Sequence, residues 1–329
     1  MKGITTLSAA YSVLTGVNSA ETHIPETLLS NGITIYGTPD SPQVQQLTHV
    51  VESFPDLWID LGRFVDIPQH EWMKIPLCTN WELRLPAKAA RIYPLGLEDC
   101  KVVDEKFNEL HETGRLSWTT TATPFSYPVF VVWTTSPDGT HKGRPVVDIR
   151  GLNRIVQLDV YPIPLQSDII AAVQGCPYIT VVDCASFFYQ WRVDPRDTYK
   201  LTVVSHRGQE SFNVAVIGYK NSPSYVQRQI DRLLRPFPFA KAYIDDVVIA
   251  SQTLEEHITH LTTIFAMFEQ VRISIKPTKA FIGYSSVWLL GQHVDSLGLA
   301  TPEEKLEAIA RIKFPKTFKD LETYLGLTG

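Results

Sequence analysis

No run of apolar residues in this 329-residue chain approaches the ~20 that a membrane-spanning helix needs, since every hydrophobic stretch is short and broken by Pro, Gly or charge. A soluble protein is expected. The amino terminus has one early Lys2 followed by a mixed Ser/Thr/Ala/Val segment, too polar for a secretory core and too poor in Arg for a transit peptide. Cysteine is scarce: Cys78, Cys100, Cys176 and Cys184 show no paired spacing, which excludes a disulfide framework or a zinc knuckle and points to a reducing, intracellular setting. Internal repeats and low-complexity tracts are absent too. An excess of positive charge is also lacking. The net charge is -5, with 9 Lys/Arg against 15 Asp/Glu in the first 116 residues and 21 against 20 in the rest. A nucleic-acid channel in the second part must therefore come from clustering on one face.

With 44% hydrophobic and 20% charged residues, the chain can build one large or two smaller cores. Residues 1 to about 60 show weak periodicity, a turn-like segment from Gly37 to Pro42, and one amphipathic stretch from Val44 to Phe54. This reads as an acidic, partly ordered arm over residues 1–79. Val102, Val103, Phe107 and Leu110 fall on one face of a helix that Gly114 ends. Beyond it come short β-like runs. Val129 to Trp133 and Gly143 to Ile149 flank the hairpin turn Ser136-Pro137-Asp138-Gly139, and Tyr178 to Val182 is a further strand. Asn221-Ser222-Pro223 has the form of a cap followed by a first-turn Pro. Leu254, Ile258, Leu261, Phe265 and Phe268 mark another helix, and strands are expected at 273–276, 280–284 and 287–294. Helices mixed with antiparallel hairpins give an α+β fold.

Apolar residues on both sides of Asp245-Asp246 put that pair at a hairpin turn. Alone it is a common way to close a turn. A third carboxylate, Asp183, ends the apolar run Ile179 to Val182 and precedes Phe187-Phe188. Alone, Asp183 is equally what a helix cap or an ion-pair partner looks like. Three carboxylates at neighbouring strand ends could hold two divalent ions for phosphoryl transfer, and Lys142, Arg144 and Arg150 offer positive charge for a triphosphate.

The chain also holds, in order, RPVVDIRGLN (Arg144 to Asn153), TVVDCASFFYQW (Thr180 to Trp191), GYKNSPSYVQ (Gly218 to Gln227), AYIDD (Ala242 to Asp246), KPTKAF (Lys276 to Phe281) and LLGQHV (Leu289 to Val294). This ordered set resembles the reverse transcriptases of gypsy-type LTR retrotransposons. The resemblance covers residues 80–329 and implies a right-hand polymerase fold of fingers and palm, with an antiparallel palm sheet flanked by helices. It implies an RNA-directed DNA polymerase that adds deoxynucleotides to a primer 3′-hydroxyl with two Mg2+ ions, Mn2+ being a substitute. Asp183, Asp245 and Asp246 would hold the metals together with the backbone carbonyl of Cys184, and Lys279 would protonate the leaving pyrophosphate. Lys142, Arg144, Cys184, Phe188 and Gly218 would meet the incoming nucleotide, Phe188 by crowding out a 2′-hydroxyl. Asn153, Gln227, Leu290 and Gly291 would meet template or primer. Arg228, Arg232 and Arg235 share one side of a helix that either faces phosphates or is simply solvated.

Where the family usually has Pro and Phe before the Gly of its turn motif, this chain has Val216 and Ile217. DLETYLGLTG (Asp320 to Gly329) resembles the point at which related polyproteins continue toward connection and RNase H domains, so a unit truncated before a complete thumb is expected. The implied partners are RNA or DNA template with primer, deoxynucleoside triphosphates and the remaining Pol domains. The implied location is cytoplasmic particles. The alternative is an inactive remnant that keeps the fold and at most binds nucleic acid.

Overall fold

In the computed structural model, residues 25–84, 92–135, 139–290, 292–295 and 298–300 are described. The first short strands are β1 (Glu26–Leu28) and β2 (Thr34–Tyr36), followed by helix α1 (Pro42–Glu52) and, further on, helix α2 (Leu97–Glu112). Then come β3 (Leu116–Trp118), β4 (Tyr127–Thr135), β5 (His141–Val147), helix α3 (Gln166–Val173), β6 (Tyr178–Cys184), β7 (Thr202–Ser205) and β8 (Gly208–Phe212). Helix α4 (Ser222–Leu234), β9 (Ala240–Tyr243), β10 (Asp246–Ser251), helix α5 (Leu254–Gln270), β11 (Ile275–Tyr284), β12 (Ser286–Leu289), β13 (Gln292–Asp295) and β14 (Gly298–Ala300) complete the order.

Three sheets result. The largest runs β1-β2-β11-β6-β10-β9, the second β3-β8-β7-β4-β5, and the third β12-β13-β14. In the largest sheet every pairing is antiparallel except β2 with β11. Both of its faces are covered, which explains why its central strands read as unbroken apolar runs. Successive side chains point to opposite faces. Val182, Val247 and Ile249 join the main core with Leu261, Ile264 and Phe265 of α5, whereas Val181, Val248 and Ala250 join Ile169, Ile170 and Val173 of α3. Helix α5 starts where sequence chemistry dictates: the Thr253 hydroxyl accepts from the Glu256 amide at 3.2 Å while Glu256 reaches back to the Thr253 N–H at 3.3 Å.

The expectation of an arm over residues 1–79 needs correction. Residues 1–24 lie outside the described residues, but Ile35 of β2 pairs with Ile282 of β11, and both are fully buried. Helix α1, begun by Ser41 and Pro42, buries Val44, Leu47, Val50 and Val51, and the Trp58 ring meets Phe265 edge-on at 5.3 Å. Three-residue strands are too short to show an alternating pattern, and β2, besides its local pairing with β1, meets its other partner β11 only from the far end of the chain, so no local signal marks its place in the sheet. The two strands expected at 273–276 and 280–284 are a single irregular one, β11.

A buried polar chain crosses this core. The Gly283 amide donates to the Thr180 hydroxyl at 3.0 Å; Thr180 and Ser251 hydroxyls lie 2.8 and 2.9 Å from the two ring nitrogens of fully buried His257. Burial holds His257 down to about 3. Below pH 6.5 the unfolded chain therefore takes up a proton that the native ring refuses, so this group removes stability as pH falls, by about 1.4 kcal/mol per unit down to pH ~3. In urea titrations at pH 7 and pH 5, His257→Gln is expected to lose less stability on acidification than the wild type, by about 2 kcal/mol. Equal losses would contradict a neutral native His257.

Candidate active site

Strands β6 and β10 are antiparallel, so the end of one adjoins the start of the other. Asp183 is the direct cross-strand partner of Asp246, and Tyr243 pairs with Asp246 to close a two-residue turn made of Ile244 and Asp245. The turn is anchored to β6, because the Cys184 amide donates to the Asp245 carbonyl at 2.8 Å. Its first residue is held at φ 56°, a position that suits Gly and is costly for a β-branched side chain. Gln227, fully buried on α4, offsets that strain: its Oε1 accepts from the Ile244 amide at 2.7 Å and its Nε2 donates to the Ala242 carbonyl at 3.0 Å.

The electrostatics follow from this crowding. Asp183 is 7% exposed. Burial, then the neighbouring Asp183 charge, pushes Asp245 up; burial, then Asp245 and Asp183, pushes Asp246 up to about 7, with Lys279 pulling both back. The same three charges add to burial in raising the Cys184 thiol. Lys279 donates to Asp183 Oδ2. An irregularity of β11 delivers it: between the partners Ile275–Cys184 and Ala280–Val182, five steps of β11 run past two of β6. Among the described residues no three carboxylate, thiol or imidazole groups are gathered closely enough to cage an ion as they stand. The donor set nevertheless fits hard divalent cations. It is all oxygen, it carries three formal negative charges against one Lys279, and burial together with the neighbouring carboxylates makes Asp245 and Asp246 resist ionisation.

The other expected residues divide. Phe188 is half-buried on the 3-10 turn Phe187–Gln190, which Ser186 enters at φ 48°. Lys142 and Arg144 are exposed on β5, and Arg144 lies near enough to Tyr189 for its charge to oppose the burial that raises that phenol to about 12. Gly218, at φ 95°, makes the bend before α4. Leu290, at φ 52° between β12 and β13, packs on the smaller core, while Gly291 lies outside the described residues, as do Ser136, Pro137, Asp138 and the segment Asp320 to Gly329.

Several assignments are corrected. Gln227 cannot meet a template, being buried and bound to the turn. Asn153 clasps the Gly218 bend, donating to the Gly218 carbonyl at 2.8 Å and accepting from the Lys220 amide at 2.9 Å, so both ends of its amide hold its own backbone. Arg150 is held bidentately by Asp148, Arg228 by Asp159 and Arg232 by Glu71, so of the helix arginines only Arg235 forms no ion pair among the described residues. Asn221 stands at the expected cap position, but its side chain instead binds the Gln157 carbonyl and the Asp159 amide. The strained Ile244 went unforeseen, since nothing local in the sequence distinguishes it from any other apolar turn neighbour.

Comparison with known proteins agrees with this geometry. Residues 136–294 match the family model described as "Reverse transcriptase (RNA-dependent DNA polymerase)". That match spans just under half of the chain. Relatives include the retrovirus-related Pol polyprotein from transposon opus of Drosophila melanogaster, 27% identical over 82% of this chain and 27% of the relative. Another from transposon 297 of the same fly is 29% identical over 72% of this chain and 22% of its own length. The transposon Tf2-3 polyprotein of Schizosaccharomyces pombe is 26% identical over 91% and 23%. The chain thus spans about a quarter of the length of these relatives. Among solved structures, a foamy viral protease-reverse transcriptase in complex with dsDNA superposes with a TM-score of 0.71 at 20% identity, covering 88% of this chain and 58% of that one. One in complex with an RNA/DNA hybrid gives 0.69, covering 88% and 38%. These likenesses establish the α+β polymerase fold.

Proposed function

We propose that this chain is the RNA-directed DNA polymerase part of a gypsy-type LTR retrotransposon Pol polyprotein, adding deoxynucleotides to a primer 3′-hydroxyl on RNA or DNA templates. The observation that carries the reading is the register that sets Asp183 opposite Asp246, with Asp245 in the turn beside them. In this reading Asp183, Asp245 and Asp246 hold two Mg2+ ions, with the Cys184 carbonyl as a further oxygen. When bound, the ions supply Lewis-acid activation of the hydroxyl and neutralise the leaving pyrophosphate. The chain's own residues do the rest. Arg144 and Lys142 meet the triphosphate, Phe188 crowds the sugar, Gly218 lets the backbone approach the nucleotide, and Lys279 leaves Asp183 to give its proton to pyrophosphate. Leu290 and Gly291 sit under the primer. The setting is cytoplasmic particles, alongside the remaining Pol domains.

The test is extension of a DNA primer on an RNA template with Mg2+ or Mn2+. Extension by the wild type and none above background by Asp245→Asn is expected. No extension by the wild type with either ion would instead favour an inactive remnant. Equal extension by both would show that the site is misassigned.

A further inference from the structure

We propose that Tyr161 and Asp231 are positioning residues for the catalytic turn, acting through Gln227 to hold the strained Ile244 backbone in place. The inference rests on the polymerase reading for its kinetic consequence, but its structural part stands separately.

Gln227 binds the turn with both ends of its amide, and that works in only one orientation: Oε1 toward the Ile244 N–H, Nε2 toward the Ala242 carbonyl. An amide is nearly symmetric in shape, so something must choose between its two orientations. Asp231, one helical turn further along α4, makes the choice. Its Oδ1 accepts from Gln227 Nε2 at 2.8 Å, and a carboxylate can only accept, so a flipped amide would set oxygen against oxygen. Asp231 is fixed in turn by the Tyr161 hydroxyl, which donates to its Oδ2 at 2.7 Å.

Tyr161 belongs to the segment between the clasp at Asn153 and helix α3, and that segment is pinned to α4 at separate points. Asn221 Oδ1 accepts from the Asp159 amide at 3.1 Å, Arg228 pairs with Asp159, and the Arg228 guanidinium lies 4.8 Å from the centre of the Tyr161 ring. The path Tyr161, Asp231, Gln227, Ile244 is thus continuous, each member being held by the one before it. Its end point is a backbone conformation that an Ile would leave if released. Leaving it would turn the Asp245 carbonyl away from the Cys184 amide and swing both turn carboxylates out of register with Asp183.

The experiment uses the full chain with Asp231→Asn and Tyr161→Phe, and Arg232→Gln as a control that breaks a neighbouring ion pair on the same helix. Asp231→Asn presents an amide that can flip with Gln227. It is expected to speed hydrogen exchange of the Ile244 amide and to lower the single-turnover rate of nucleotide addition by about tenfold to a hundredfold, with primer–template affinity within about twofold. Tyr161→Phe, which removes one hydroxyl and leaves the ring, should move both readouts the same way by a smaller factor. Arg232→Gln should move neither. Unchanged Ile244 exchange in both relay variants would overturn the proposal, as would an equal drop in rate for Arg232→Gln. If the wild type adds no nucleotide, the polymerase reading fails, while the exchange measurement still decides the relay.

Discussion

Asp183→Asn is expected to lower the rate of single-nucleotide addition by about a thousandfold, the equivalent of about 4 kcal/mol of transition-state stabilisation. The substitution keeps the size and an acceptor oxygen, so the packing of β6 against β10 should survive. What it removes is the one charge shared between the three-carboxylate set and Lys279. Lys279 donates to Asp183, whose cross-strand partner is Asp246. A divalent ion gathered by Asp183, Asp245 and Asp246 would take over the role of that ammonium. A neutral amide in place of the carboxylate binds neither the ion nor the ammonium strongly. Lys279→Met leaves all three carboxylates in place and removes the proposed proton donor together with its charge; a loss nearer a hundredfold is expected there. Rapid-quench measurement of one nucleotide addition checks both. If Asp183→Asn stays within tenfold of the wild type, the carboxylate is not a metal ligand.

Asp246→Asn should make the protein more stable in the absence of divalent metal, by about 2–4 kcal/mol at pH 8. The reason is that ionised Asp246 is disfavoured in the folded chain, its pKa being pushed from 3.8 to about 7 by burial and by Asp245 and Asp183. For a carboxyl raised on folding, the native state holds a proton that the unfolded state has lost. Stability is therefore lost as pH rises from ~4 through ~7, and the penalty is complete above 7. The variant carries no such penalty, so its advantage should be largest at pH 8 and smallest near pH 4. Mg2+ should reverse the order, because binding to the native wild type adds stability that the variant cannot gain fully. Urea unfolding with EDTA and with Mg2+ measures this. A variant less stable than wild type in EDTA at pH 8 would contradict the crowded-carboxylate description. His257, which titrates in the opposite sense, adds the same background to both proteins.

How much of this was legible beforehand varied with the range of the interaction. Helices α2 and α5 follow from apolar spacing and end signals within a few residues, and the structure buries Val103, Phe107, Leu110, Leu261, Phe265 and Phe268 as that spacing requires. The β4–β5 and β9–β10 pairings are local too, each joining strands only a few residues apart in the chain. Asp183, Asp245 and Asp246 stood out because each sits at the end of an apolar run, and Lys279 because it lies in a short motif of fixed order. Asn153 and Gln227 were recognisable as members of motifs, yet their role was not, since a side chain that clasps its own backbone and one that meets a base look the same in a motif. The hydrogen-bond partners decide, and those are 65 residues away for Asn153 and 17 for Gln227. Arg150, Arg228 and Arg232 are similar cases: their charge is visible in the sequence, and the carboxylate that neutralises it is not.

The amino-acid sequence by itself determined the α+β class, the order of the hairpins and main helices, and the three carboxylates, because periodicity, turn chemistry and motif order act over short stretches of chain. Only the tertiary structure decided that residues 26–58 belong to the large sheet and its core, that Lys279 lies on Asp183, and that Tyr161, Asp231 and Gln227 converge on a strained Ile244. Most of those pairings join segments far apart in the chain. Their energy comes from burial and from hydrogen bonds completed across elements, so no local pattern encodes them.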